Sequence, residues 1–378
     1  MKINQNKDLR LSLLIFLCSF STASILFLIL RYSSYGIDFT DEGYYLNWIS
    51  KPHLYQISIS QFGFVYHPIY NLFDESIISL RRVNFVITFV LSAVLVNLLF
   101  NKLYIKQKLH TIFQILLSCG IATTSFTYLY IQTPSYNHLT LQGLLLVCLG
   151  VLLIDKINSN KNILAYIIIG FGGWLTFMAK PTSSIGLSLL IFIYLIISKN
   201  FKLKFILVSI LTGLLLILIS ALLIDGSVSK FFYRYLLQYE TSQLLQSAYN
   251  INSFIRIDEL NLNPKIKKSI FVISLLSTLL LYLEYHNSKL TRLISIILCS
   301  LIIIFILIIS VFEINWNPDY GYHQPYLVLS IVVVNIFIYL LFLLKKLLKF
   351  EDINWSLIFL FLLTPYIFAL GTSNNYWI

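Results

Sequence analysis

Eleven apolar runs recur along this chain, at residues 11–30, 83–100, 111–129, 139–154, 163–179, 184–198, 205–224, 269–284, 293–312, 326–344 and 355–370. Each is near the about 20 residues a helix needs to cross a bilayer. Such runs hold their backbone hydrogen bonds within themselves and bury against lipid or one another rather than closing a soluble core. Composition agrees, since 58% of the 378 residues are apolar and 11% charged, against about 45–50% and about 25% in soluble domains. The expected fold class is all-α: a polytopic integral membrane protein with about eleven transmembrane helices. The first run follows Lys2, Lys7 and Arg10 as a signal peptide would. It is long enough to span, however, and no small-residue cleavage site follows it, so it reads as a retained anchor.

The net charge of +11 would point to nucleic acid in a soluble protein; here its distribution gives it another meaning. With the N-terminus in the cytoplasm, alternate loops hold Lys102, Lys106 and Lys108; Lys156 and Lys161; Lys199, Lys202 and Lys204; Lys289 and Arg292; and Lys345, Lys346 and Lys349. That is the bias that orients membrane proteins, and it excludes a nucleic-acid role. The short loops on the other side hold one basic residue, Lys180. That outer side also carries Asp38, Asp41, Glu42, Asp74, Glu75, Asp225, Glu240, Asp258, Glu259, Glu313 and Asp319, 11 of the 16 acidic residues. Two outer loops are long, 31–82 and 225–268. Both place aromatic and apolar residues at helical spacing, such as Phe231, Phe232, Tyr235, Leu236 and Tyr239 with Lys230 and Arg234 between them. This pattern predicts amphipathic helices lying on the outer membrane surface. The four cysteines fall inside apolar runs without the spacing of a metal or redox motif and read as small core residues.

Chemistry concentrates just after the first run, where Asp38, Asp41 and Glu42 fall within five positions beside Tyr44, Tyr45 and Trp48. Thr40 can cap a short helix whose first turn holds the last two acids. Crowded carboxylates raise a pKa or recruit a cation, while a capped, solvated helix start beside an aromatic belt satisfies the same residues. Further polar groups sit at the outer ends of spans: Tyr136, Asn137 and His138 in one turn, Tyr320 and His323 in another, and Lys180 before Pro181. Pro134 and Pro318 also serve there as plain turn formers. Lys180 reads either as an anion-binding cation or as a lysine snorkelling to the interface.

The segment Asp41-Glu42-Gly43-Tyr44-Tyr45, in the first outer loop of a many-helix chain, resembles the signature of the GT-C membrane glycosyltransferases. It is similar to the branch holding the protein O-mannosyltransferases, the aminoarabinose transferase that modifies lipid A, and the RgtA/B/C/D-like enzymes. The resemblance implies a GT-C-like transmembrane domain over residues 1–378. It also implies an inverting transfer of a sugar from a polyprenyl-phosphate donor to a glycan, lipid or protein acceptor on the outer face. Asp41, with Glu42 or Asp38 assisting, would be the base or metal ligand, and the resemblance admits a divalent ion, Mg, Mn or Zn, on Asp41 and Glu42. The chemistry asks for a carboxylate to take the acceptor proton and for positive charge to meet the leaving phosphate; Lys180 and Arg256 are the candidates for the second. Tyr44, Tyr136, Asn137, His138, Tyr320 and His323 are the candidate substrate contacts. Ala179-Lys180-Pro181-Thr182-Ser183 also resembles a Lys-Pro-Thr segment of such proteins. Asn, Lys and Ile usage points to an AT-rich bacterial genome, and hence to a bacterial plasma membrane. The chain ends at Tyr376-Trp377-Ile378 without a polar tail, which leads to the expectation of a further C-terminal portion. Two rivals share the polytopic plan. An O-antigen polymerase or ligase would rely on outer arginines and a large late loop, and a transporter or flippase would place charges within its spans.

Overall fold

A computed structural model describes residues 19–20, 22–23, 26–27, 29–37, 39, 41–103, 114–116, 118–122, 131–155, 159–244, 290, 294, 297 and 355–371. Every regular element among them is helical. The predicted runs at 269–284 and 326–344 lie outside the described residues; those at 11–30, 111–129 and 293–312 are described only in part.

The chain divides into two compact units. One comprises Met1–Ser34, Ser92–Tyr130 and Leu262–Ile353. Within it Gln114 Nε2 donates to Asn97 Oδ1 and to Asn101 Oδ1, both at 2.7 Å, a polar tie that apolar surroundings strengthen. The other comprises Tyr35–Leu91, Ile131–Asn261 and Asn354–Ile378 and holds the site.

The first long loop of the sequence folds into α1 (Asp41–Ser50), a 3-10 turn (Pro52–Leu54) and α2 (Phe62–Leu72). α3 (Ile77–Leu103) follows, then α4 (Tyr136–Leu153), α5 (Ser159–Ala179), α6 (Pro181–Ile197), α7 (Leu203–Asp225), α8 (Val228–Leu244) and α9 (Trp355–Ala369). Each apolar run that is described becomes a helix. The largest change is at α3, which begins at Ile77 rather than 83 and so brings Arg81 and Arg82 into its second turn. Among the described residues four helices are long and apolar enough to cross a membrane, Ile77–Lys102, Tyr136–Leu153, Asn160–Ala179 and Leu203–Asp225. They mark a membrane protein; α6 and α9 are shorter apolar helices.

Local chemistry sets the breaks. Pro181 disfavours helical geometry at the residue before it; Lys180 is extended (φ −145°, ψ 100°), and α5 stops at Ala179. One residue, not a loop, therefore joins α5 to α6. α7 ends where Gly226 takes φ +65° and its N–H closes on the Leu222 carbonyl, a left-handed cap that glycine adopts without strain. α1 buries Glu42, Tyr45, Trp48 and Ile49 on one stripe and exposes Asp41, Tyr44 and Asn47.

α4 lies along α5, α5 along α7, and α6 along α9. The α4–α5 contact is backbone to backbone: a Cβ on Gly143 would meet the Gly172 carbonyl at 2.8 Å, and one on Gly150 the Ala165 carbonyl at 2.7 Å. Small residues permit this approach between spans. The aromatic core joins Tyr45, Trp48, Phe62 and Tyr66 to Leu80, Leu139, Leu175, Met178, Ala221 and Phe231. These lie at the starts of α3, α4 and α8 and the ends of α5 and α7. α1, α2 and α8 thus cover one end of a bundle, where helix ends expected on one side come together. Arg234 fixes α8 there, through a bidentate pair with Asp225 at 2.5 and 2.7 Å and a bond to the Tyr55 carbonyl at 3.2 Å.

Candidate functional site

Asp41 and Glu42, adjacent in sequence, have different surroundings because successive helical residues point about 100° apart. Asp41 opens α1 and is exposed. Glu42 is 5% exposed and faces Arg81, itself 4% exposed. Its Oε1 accepts from Arg81 Nη2 at 2.8 Å, Arg81 Nε at 3.1 Å, Thr133 N–H at 3.2 Å and the Thr133 hydroxyl. A buried pair of this kind costs about 3–5 kcal/mol to break by removing one partner. In the Glu42 environment the carboxylate is an anchor for α1, and Asp41 is the acid left exposed.

Arg81 escaped the sequence reading. The signal was present: Arg81 and Arg82 lie on the side the charge bias assigns to acidic residues, beside a span, where a basic residue calls for a counter-charge.

Below this pair a closed polar network crosses between helices. Tyr66 hydroxyl donates to Gln142 Oε1 at 2.9 Å, and Gln142 Nε2 donates to Asn84 Oδ1 at 2.9 Å and Thr88 Oγ1 at 3.0 Å. Asn84 Nδ2 reaches the Gln132 carbonyl at 3.3 Å. The network ties α2 to α3 and α4, and desolvation holds the Tyr66 hydroxyl protonated, its pKa well above the ordinary tyrosine value.

Lys180 lies 4% exposed at the α5–α6 joint. Its Nζ donates to the Phe368 carbonyl at 3.1 Å and stands 4.8 Å from the Phe368 ring centroid and 5.2 Å from that of Tyr136. Phe368 is in the last turn of α9, so the ammonium caps carbonyls that carry the negative end of a helix dipole. Among the described residues no carboxylate pairs with it. Desolvation pushes its pKa well below the usual 10.5. The snorkelling alternative does not describe this side chain, which is enclosed.

Tyr136 links the two charged centres. Its ring meets Tyr45 of α1 edge-on at 5.8 Å and Phe62 at 6.3 Å on one side, and Lys180 on the other. Thr133, three residues earlier, holds Glu42. The turn 132–138 therefore touches both centres. Asn137 keeps its Oδ1 buried without a hydrogen-bond partner. His138 is 1% exposed and within reach of the Ser135 hydroxyl through Nδ1 at 3.1 Å, which makes it an internal residue rather than a surface contact. Tyr44 is half exposed in an aromatic group with Trp48 and Tyr55, at 5.4 Å from each ring. Asp38, Arg256, Tyr320 and His323 lie outside the described residues.

The metal expectation gains no support from geometry. Glu42 Oε1 is already occupied by donors, and among the described residues no three His, Cys, Asp or Glu side chains come together. His67 uses Nδ1–H on the Ile49 carbonyl at 2.7 Å, and His53 packs against Phe64 at 4.9 Å.

Beside α5, α6 and α7 lies an apolar groove of about 370 Å³, lined among others by Gly170, Gly173, Trp174, Phe177, Ser184, Leu187 and Gly213. Ser184 follows Lys180 by one helical turn, its N–H on the Lys180 carbonyl at 3.0 Å. No family model, no curated protein and no solved structure matches the chain.

Proposed function

We propose that the protein is an inverting membrane glycosyltransferase of GT-C type, with about eleven crossings, that transfers a sugar from a polyprenyl-phosphate donor to a glycan, lipid or protein acceptor on the outer face of a bacterial plasma membrane. One observation carries the reading: the ring of Tyr136 joins the helix that begins at Asp41 to Lys180, a buried cation without a carboxylate partner among the described residues. An exposed acid and an enclosed amine on either side of an aromatic turn supply what sugar transfer from a phosphate requires.

In this reading the acceptor hydroxyl gives its proton to the Asp41 carboxylate as its oxygen bonds to the anomeric carbon. The bond from that carbon to the phosphate oxygen breaks, and the polyprenyl phosphate leaves with the electron pair. An arriving phosphate favours the charged form of Lys180, countering what burial does to its pKa. The charge then stabilises the leaving group where water is scarce. Arg256 would add a second cation. The groove beside Phe177 and Ser184 offers the carrier's isoprenoid chain an apolar path ending one turn from Lys180. The closed hydrogen bonding of Asn84, Thr88 and Gln142 leaves little for a transport path to use.

The test is transfer of radiolabelled sugar from a panel of polyprenyl-phosphate sugars in membranes holding equal amounts of wild type or Asp41→Asn. A fall of at least about 10²-fold is expected from losing a general base. Equal activity of the variant would remove Asp41 from the chemistry, and no transfer by wild type from any donor would remove the transferase reading.

A further inference from the structure

We infer that Arg81 is a positioning residue that staples the segment bearing Asp41 into a closed loop. Its guanidinium holds both ends of that segment. At one end Nη2 donates to the Gly36 carbonyl at 2.8 Å and Nη1 to the Tyr35 carbonyl at 3.4 Å. At the other, Nη2 and Nε donate to Glu42 Oε1 at 2.8 and 3.1 Å. Nε also donates to Thr133 Oγ1 at 3.2 Å, so the staple is fixed to the turn that reaches Lys180. Between the clamped ends lie five residues, 37–41. Of these Ile37, Phe39 and Asp41 are exposed.

An ion pair alone would not need this arrangement. Glu42 could be neutralised by any cation, yet the guanidinium spends part of its fork on two neutral carbonyls. The chain turns to present them: Gly36 sits at φ +67°, a conformation that favours glycine. The contacts are spread over three nitrogens of a planar fork, Nε, Nη1 and Nη2; a lysine, with a single nitrogen, would keep the pair and give up the clamp. A carboxylate base on an exposed loop gains from such support, because misplacement by about 1 Å costs on the order of 10²-fold in rate. The geometric claim stands on these contacts; its catalytic consequence rests on the transferase reading.

The test uses full-length protein without its native cysteines and with Phe39→Cys spin-labelled in liposomes, Phe39 being 92% exposed. Three backgrounds are compared: Arg81 intact, Arg81→Lys, and Arg82→Lys at the exposed neighbouring position. Arg81→Lys keeps the charge opposite Glu42, so it is expected to fold. Its label should move faster than in the other two, and kcat for transfer should fall roughly 10²-fold with KM for the donor unchanged. Equal label mobility in all three would overturn the staple. Greater mobility with an unchanged kcat would overturn its positioning role. If even the intact background transfers no sugar, the label alone decides the staple, and the loss falls on the transferase reading.

Discussion

Lys180 shows how one side chain can hold both a structural and a chemical charge state. Capping α9 through the Phe368 carbonyl favours the ammonium, while burial disfavours it and prevails, pushing the pKa well below 10.5. Between that depressed value and 10.5 the unfolded chain binds a proton that the folded chain lacks. Stability therefore rises with pH across that window, and the cost of burial is greatest below it. Thermal unfolding in detergent from pH 7 to 9.5 should show this rise in wild type and its loss in Lys180→Met. Adding a polyprenyl phosphate should flatten the wild-type rise by restoring the charge; an unaltered slope would mean that the lipid phosphate does not reach Lys180. The acidic pair is a second case at this scale. Sequence placed Asp41 and Glu42 together, Asp41 as the base with Glu42 assisting, and helical geometry separates them, one to solvent and one to Arg81. Spacing alone could not assign that difference, because it depends on an arginine 39 positions away.

Helices are where the sequence was most legible. Runs of apolar residues gave α4 to α7 and α9 within a few positions, since length and hydropathy decide such elements before packing does. α8 followed from aromatic spacing, and α1 from a capped helix start with Asp41 and Glu42 in its first turn. What the runs could not reveal is how closely helices approach. Gly172 and Gly173 are neighbours in α5 with opposite surroundings. A Cβ at Gly172 would lie 2.7 Å from the Gly143 carbonyl, whereas one at Gly173 meets nothing within 4 Å. Gly172→Ala should therefore lower unfolding stability by about 1–3 kcal/mol, the usual cost of overpacking. Gly173→Ala, at the groove, should leave stability unchanged or slightly raised. Comparing the two denaturation curves checks the α4–α5 approach; equal curves would contradict it. Arg234 taught the same lesson in another form. Its place between aromatic residues read as the charged side of a surface helix, and it is buried on Asp225 because the start of α8 folds back onto the end of α7.

At the scale of the molecule, the ends of α5, α7 and α9 meet the starts of α3, α4 and α6 at one end of the bundle, under α1, α2 and α8. The side of the membrane on which this end lies rests on the lysine bias, and in the proposed transferase it decides the donor, since lipid-linked sugars serve the face that nucleotide sugars do not reach. A membrane-impermeant maleimide tests this directly in intact cells, on proteins with one cysteine each, at Phe39 or at Lys202. Both positions are exposed, and they bracket the bundle. The account predicts that Phe39→Cys is labelled without permeabilisation and Lys202→Cys only after it. The reverse pattern would put Asp41 and Lys180 on the cytoplasmic face and contradict transfer on the outer surface.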